Sequence, residues 1–253
     1  MKLQYASDLH LEFQENRSFL DANPLKPVGN ILLLAGDIVP FALMDRYKSF
    51  FKYLSDHFEA TYLIPGNHEY YNYFDIKTRC GSFDEKICNN VHIVNNKTVS
   101  IGDVSVICST LWTKISPVNQ WQIEHGMNDF HVIKSGRNRF SAEKYNQLYE
   151  QNIAYITDEL TRLKSSKKVV VTHHVPTLKN YPDVYKGSVL NEAFAVELFN
   201  LIEHQQPDAW IYGHSHFNTP DFTIGKTGML TNQLGYMMYG ENSGFQTDKV
   251  ICV

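Results

Sequence analysis

Residues 31–37 read Ile31-Leu32-Leu33-Leu34-Ala35-Gly36-Asp37. The unbroken apolar run lacks the alternation of a half-solvated strand, so it predicts a strand buried on both faces of a sheet. The run stops at a glycine and a carboxylate. The same arrangement recurs on either side. Leu3 to Ala6 leads into Ser7-Asp8-Leu9-His10, and Thr61 to Ile64 into Pro65-Gly66-Asn67-His68-Glu69. Lys168 to Thr172 leads into His173-His174, and Ala209 to Tyr212 into Gly213-His214-Ser215-His216. Apolar residues at helical spacing from Pro40 to Phe58 place a helix between the second and third strands. That βαβ rhythm calls for helices layered on sheets.

Further along, Val91 to Val94, Thr98 to Ile101 and Val104 to Ser109 are short strands separated by Asn95-Asn96 and Gly102-Asp103, the spacing of a β-meander. Residues 112–140 are polar and aperiodic and predict an ordered insert, and such segments in compact domains tend to carry function. Ser141 is placed to cap a helix reaching about Leu163, with Glu143 in its first turn. Leu190 to Ile202 predicts another helix. Phe222 to Ile224, Met229 to Thr231 and Val250 to Val253 predict closing strands. No repeat, low-complexity tract or linker interrupts the 253 residues, so one domain is expected over 1–253.

Hydrophobic content of 43% suits a globular protein, and a net charge of −4 gives no general attraction to duplex nucleic acid or an anionic membrane. No apolar run is long enough to span a bilayer, and Asp8 interrupts any signal-like N-terminal segment. A cytoplasmic protein is the expectation. The four cysteines show no CxxC spacing. Cys108 and Cys252 sit in strand-like runs as buried thiols, while Cys80 and Cys88 could pair only in an oxidising compartment.

Ligand sites in layered α/β proteins gather beyond the carboxyl ends of strands, and here five such ends carry Asp, Asn or His. In extended geometry Asp8 and His10 point to one side, as do His214 and His216. Each block alone is weak evidence, since Gly-Asp and Gly-Asn are ordinary turn pairs; their joint recurrence at strand exits carries the reading. Oxygen and imidazole donors without thiolate suit Mn, Fe, Zn or Co, and are too rich in imidazole for a Ca or Mg cage. The donors exceed what one ion needs. A shared carboxylate would let two ions sit about 3.5–4 Å apart, clamping an in-line displacement at phosphorus.

Asp-x-His, Gly-Asp, Gly-Asn-His-Glu, the strand-end His and Gly-His-x-His together resemble the signature of the calcineurin-like metallophosphoesterase superfamily, from Asp8 to His216. The resemblance implies a four-layered α/β/β/α sandwich with two mixed β-sheets, and a metal-dependent phosphoric ester hydrolase with a binuclear centre. It assigns Asp8, His10 and His216 to one metal ion, Asp37 to a bridge, and Asn67, His173 and His214 to the other, with His173 rather than His174 as ligand. His68 would assist the leaving group while metal-bound hydroxide attacks in line. Glu69 would orient His68 or restrain its loop, and His174 would line the substrate pocket. Ser109-Thr110-Leu111-Trp112, Met127-Asn128-Asp129-Phe130 and Asn232-Gln233-Leu234-Gly235-Tyr236 resemble a bacterial branch of predicted phosphohydrolases. In that branch the last stretch is expected as Asn-Pro-Arg-Gly-Tyr. The Arg is replaced here by Leu234, and Arg137 or Arg139 would substitute for it. Within the insert, Trp112, Trp121 and Phe130 offer stacking surfaces or a local hydrophobic cluster. Trp112, Asn128, Arg137 and Arg139 join Asn67 and His174 as candidate substrate contacts. The expected substrate is a small-molecule or nucleotide phosphomonoester or phosphodiester, with Mn, Fe or Zn as the ions. An inactive metal-binding scaffold, a nuclease and a protein phosphatase stand as alternatives.

Overall fold

The computed structural model describes residues 1–164 and 167–253. The chain begins with β1 (Lys2–Ala6), α1 (Gln14–Ala22), β2 (Ile31–Leu34), α2 (Lys48–His57) and β3 (Ala60–Leu63). The hairpin of β4 (Phe83–Cys88) and β5 (Val91–Asn95) follows, then β6 (Lys97–Ile101) and β7 (Val104–Ser109). The insert holds α3 (Gln120–Gly126), α4 (Asp129–Val132) and a small hairpin of β8 (Lys134–Ser135) and β9 (Asn138–Arg139). The remainder is α5 (Ala142–Arg162), β10 (Lys167–Thr172), α6 (Phe199–Gln205), β11 (Ala209–Tyr212), β12 (Phe222–Ile224), β13 (Thr227–Thr231) and β14 (Val250–Cys252).

Two mixed sheets of six strands result, in the orders β14-β1-β2-β3-β5-β4 and β12-β13-β11-β10-β7-β6. The inner strands are parallel and each sheet has antiparallel edges. The alternation of side chains along each strand explains the layering. Ile31 and Leu33 of β2 face Val169 and Val171 of β10 and Ala209 and Ile211 of β11 in a core between the sheets. Leu32 and Leu34 point the other way, onto Phe51 and Leu54 of α2. Val170 and Trp210 likewise pack outward with Ile156 and Leu160 of α5 and Ile202 of α6. The expected four-layered α/β/β/α sandwich is therefore built, and β2 is buried along its whole length.

Several local expectations are corrected. The β-meander does not form, because β5 belongs to the first sheet and β6 and β7 to the second. Asn96, at φ 46°, turns the chain between them. The two asparagines are buried; Asn95 Oδ1 accepts from Thr110 N–H at 2.9 Å, and Asn96 Oδ1 from Ser109 Oγ at 2.8 Å. The helix expected over Leu190–Ile202 is split. A 3-10 turn spans Val189–Ala193, residues 194–198 pair with Val175 and Pro176, and α6 then begins. The stretch Pro40–Phe58 is a 3-10 turn over Phe41–Tyr47 followed by α2. Helix α1 and edge strand β4 were not expected; α1 is short and largely polar, and β4 is interrupted by Asp84-Glu85-Lys86. Ser141 does cap α5, its Oγ accepting from Lys144 N–H at 3.3 Å. All four cysteines are free, and Cys252 is exposed rather than buried.

Candidate metal centre

The predicted strand exits converge at one end of the two sheets. Asp8, His10, Asp37 and His216 bring one donor atom each to within 4.8 Å of one another, and Asp37, His173 and His214 do the same beside them. Asp37 belongs to both groups. His10 Nε2 lies 2.9 Å from His216 Nε2, and His173 Nε2 lies 3.0 Å from His214 Nδ1. Asn67 Oδ1 joins the second group, 3.1 Å from His173 Nε2.

The aiming device differs from the one expected. Asp8, His10, Asp37, His214 and His216 are not extended; all have φ between 48° and 72°. This left-handed backbone costs a non-glycine residue on the order of 1 kcal/mol, and such strain collects at functional sites. Long-range hydrogen bonds hold it: Asp8 N–H donates to Gly36 O at 2.9 Å, His10 N–H to Asp37 O at 3.0 Å, and His214 N–H to the Asp8 carboxylate at 3.0 Å. Gly66 is required by proximity, since a Cβ there would collide with the Asp37 carboxylate and the His173 ring.

Three of the four rings are held from behind, as metal-ligating imidazoles are; the exception is His214, whose buried Nε2 has no hydrogen-bond partner among the described residues. Glu12 Oε1 lies 3.2 Å from His10 Nδ1, Glu241 Oε2 lies 2.6 Å from His216 Nδ1, and Ala35 O lies 2.9 Å from His173 Nδ1. Asn67 Nδ2 donates to Asp129 Oδ1 at 3.0 Å, which turns the amide oxygen towards the histidines. Tyr71 donates to the same Oδ1 at 2.7 Å. Residues 112–140 thus reach the centre through Asp129.

His68 stands beside both groups. Its Nδ1 lies 2.9 Å from Glu12 Oε1, its Nε2 lies 3.0 Å from the Tyr236 hydroxyl, and its ring stacks on Tyr71 at 3.9 Å. Burial opposes ionisation of Glu12, but bonds from His10 and His68 hold it down to about 2. Ionised Glu12 only accepts, so both Nδ1 atoms carry protons. Glu69 does something else. It takes the backbone N–H groups of Asp37 at 2.9 Å, Ile38 at 2.7 Å and Gly66 at 2.6 Å, and so clamps the two loops. Of its two expected roles, the geometry matches loop restraint; the orientation of His68 falls to Glu12.

The metal-free charge pattern shows where a cation fits. Asp8 and Asp37 are 0% and 1% exposed, and no Lys or Arg pairs with either among the described residues. Burial lowers His10 and His214 and keeps them neutral. Burial also opposes protonation of His173 and His216, but Asp37 raises the first to about 9, and Asp8 and Glu241 raise the second to about 10. Both rings are raised by buried carboxylates, Asp37 and Asp8, that have no Lys or Arg beside them among the described residues. A buried charge needs a partner, and a cation held between these carboxylates and rings would supply it.

A cavity of about 400 Å³ opens over this cluster. Asn67, His68 and Asn128 line it, as expected, together with Tyr236 and Glu241. Four candidate substrate contacts are corrected. Trp112 is 2% exposed and packs among Tyr70, Phe140 and Tyr145 in the core. Of the remaining aromatics of the insert, Phe130 is buried against Phe140, while Trp121 is exposed on the surface. His174 is fully buried behind His214, its rings 4.3 Å apart, and faces Thr110 O and the Tyr145 hydroxyl. Arg137 and Arg139 are exposed on the β8–β9 hairpin and do not line the cavity, so neither replaces the arginine absent at Leu234. Leu234 itself is buried, and Gln233 holds the histidine loop, accepting from His216 N–H at 2.7 Å and donating to Phe217 O at 3.1 Å. Glu12, Asp129, Tyr236 and Glu241 were given no role from the sequence. Glu12 continues the alternate spacing of Asp8 and His10, and Asp129 and Tyr236 lie in the stretches that resemble the phosphohydrolase branch.

Residues 1–218 match the family model described as calcineurin-like phosphoesterase. The chain is 34% identical to the uncharacterized protein L509 of Acanthamoeba polyphaga mimivirus, over 92% of this chain and 91% of that protein. Among solved structures it is similar to phosphopantetheinyl hydrolase (PptH) from Mycobacterium tuberculosis, with a TM-score of 0.72 at 14% identity, covering 99% of this chain and 95% of that one. A dimetal phosphatase from Danio rerio aligns with a TM-score of 0.51 at 13% identity, covering 92% and 87%. Both likenesses are of fold.

Proposed function

The chain belongs to the calcineurin-like phosphoesterase family, and from that premise we propose that its strand-end cluster is a binuclear centre hydrolysing a small phosphomonoester or phosphodiester. The observation that carries the reading is Asp37, whose carboxylate belongs to both donor groups. Asp8, His10 and His216 would hold one ion, Asn67, His173 and His214 the other, and Asp37 both. When bound, such ions neutralise phosphate oxygens and activate a water.

The chain's own residues supply the rest. Glu12 takes the Nδ1 proton of His68, so that Nε2, the nitrogen that faces the cavity, is the one that gains and gives up a second proton. Burial opposes that proton, but Asp37 and Glu12 raise the affinity of His68 for it. His68 can then protonate the leaving oxygen, and the Tyr236 hydroxyl beside it supplies a second donor. Asn128, which lines the cavity, offers its amide N–H groups to the phosphoryl oxygens.

Hydrolysis of aryl phosphate mono- and diesters with added Mn tests this reading. Activity abolished by chelation and by Asp37→Ala is expected. Full activity surviving both would overturn it.

A further inference from the structure

The cavity extends well beyond what a phosphoryl group fills, and its outer wall has a definite chemistry. Tyr71, Met127, Tyr181, Leu190 and Phe194 form much of it, and no described lining residue is Lys or Arg. The polar groups on that wall are largely engaged with one another. Asn191 Oδ1 accepts from the Tyr181 hydroxyl at 3.3 Å while its Nδ2 donates to Tyr185 O at 2.6 Å, and Ser188 Oγ accepts from Leu190 N–H at 3.3 Å. The carboxylates in the lining are Asp37 and Glu241. The two arginines of the insert that could have met a distal anion lie outside.

We propose that the site selects a phosphoester whose organic arm is uncharged and apolar or aromatic near phosphorus, and discriminates against an arm bearing a second phosphate or a carboxylate. The inference rests on the phosphoesterase reading of the same cluster. Cationic donors for the phosphoryl group are confined to the centre, so a second anion would lie against tyrosine and aliphatic surface with its hydration removed. An aromatic or aliphatic arm instead gains contact with Phe194, Tyr181 and Leu190.

The test compares 4-(hydroxymethyl)phenyl phosphate with 4-carboxyphenyl phosphate, each as monoester and as methyl diester, using Mn-loaded protein. In every case water supplies oxygen to phosphorus, the aryl P–O bond breaks, and the phenol leaves with a proton. The neutral arm is expected to have kcat/KM at least about tenfold higher, as like charge in a cation-free pocket costs more than a kcal/mol. Leu190→Arg is expected to shrink that ratio without changing metal content. Equal kcat/KM for the two arms, or preference for the carboxylate, would overturn the proposal and leave the phosphoesterase reading standing. If none of the four esters is hydrolysed, both readings fall.

Discussion

Glu12 holds His68 by a 2.9 Å bond at Nδ1, and the same carboxylate oxygen takes the Nδ1 proton of His10. One side chain thus positions a candidate metal ligand and the candidate proton donor. Glu12→Gln keeps the shape and removes the charge. It is expected to lower kcat about 10–100-fold, with metal content by elemental analysis close to that of the wild type. Unchanged kcat would deny Glu12 a positioning role.

Asp129 acts on Asn67 in a comparable way, through the 3.0 Å bond that fixes the amide. Asp129→Ala leaves Asn67 free to turn its nitrogen inward. Affinity for the second equivalent of metal should fall about 10–100-fold, read by titration of metal-depleted protein. Binding of both equivalents at wild-type affinity would contradict the orientation argument.

Trp112 separates a core role from a substrate role. Buried among Tyr70, Phe140 and Tyr145, it should cost about 3–5 kcal/mol of stability when replaced by Ala. Chemical denaturation measures this directly. The KM of whatever protein remains folded should be unchanged; a raised KM at normal stability would restore Trp112 to the pocket.

The protons on His173 and His216 give a pH dependence. Both are raised in the metal-free fold, to about 9 and about 10, against an ordinary value of 6.5. A raised value stabilises the metal-free fold fully below 6.5, and that stabilisation is lost as pH rises through 9 and 10. Metal ions require the same nitrogens without protons, so their affinity rises over the same range. The gain in Tm on adding Mn should therefore grow from about pH 7 to about pH 9. A gain that shrinks over this window would contradict the exchange of protons for cations.

Much of this centre was legible in the chain because its donors follow apolar runs that can only be buried strands. Ile31 to Ala35 announced β2 and, with it, the place of Asp37. The geometry at the exits was not legible. Alternate spacing suggested extended backbone at Asp8 and His10, whereas left-handed turns held by long-range main-chain bonds do the aiming. Asn95-Asn96 looked like a hairpin turn because its sequence signal is local, while the partners that bury it come from β7 and α5. Glu241 and Asp129 reach the centre from segments whose sequence has no periodicity, so only the folded chain brings them to His216 and Asn67. Trp112 and His174 were placed in the pocket by chemistry alone, and core packing claims both.

In the proposed centre Asp37 joins two ions into one hydrolytic unit. Its most direct test is to titrate Mn into metal-depleted protein and follow aryl phosphate hydrolysis at each equivalent. Activity is expected to reach its plateau at two ions per chain and to be abolished by Asp37→Ala. A plateau at one ion per chain, or activity in the Asp37→Ala protein, would contradict the two-ion reading.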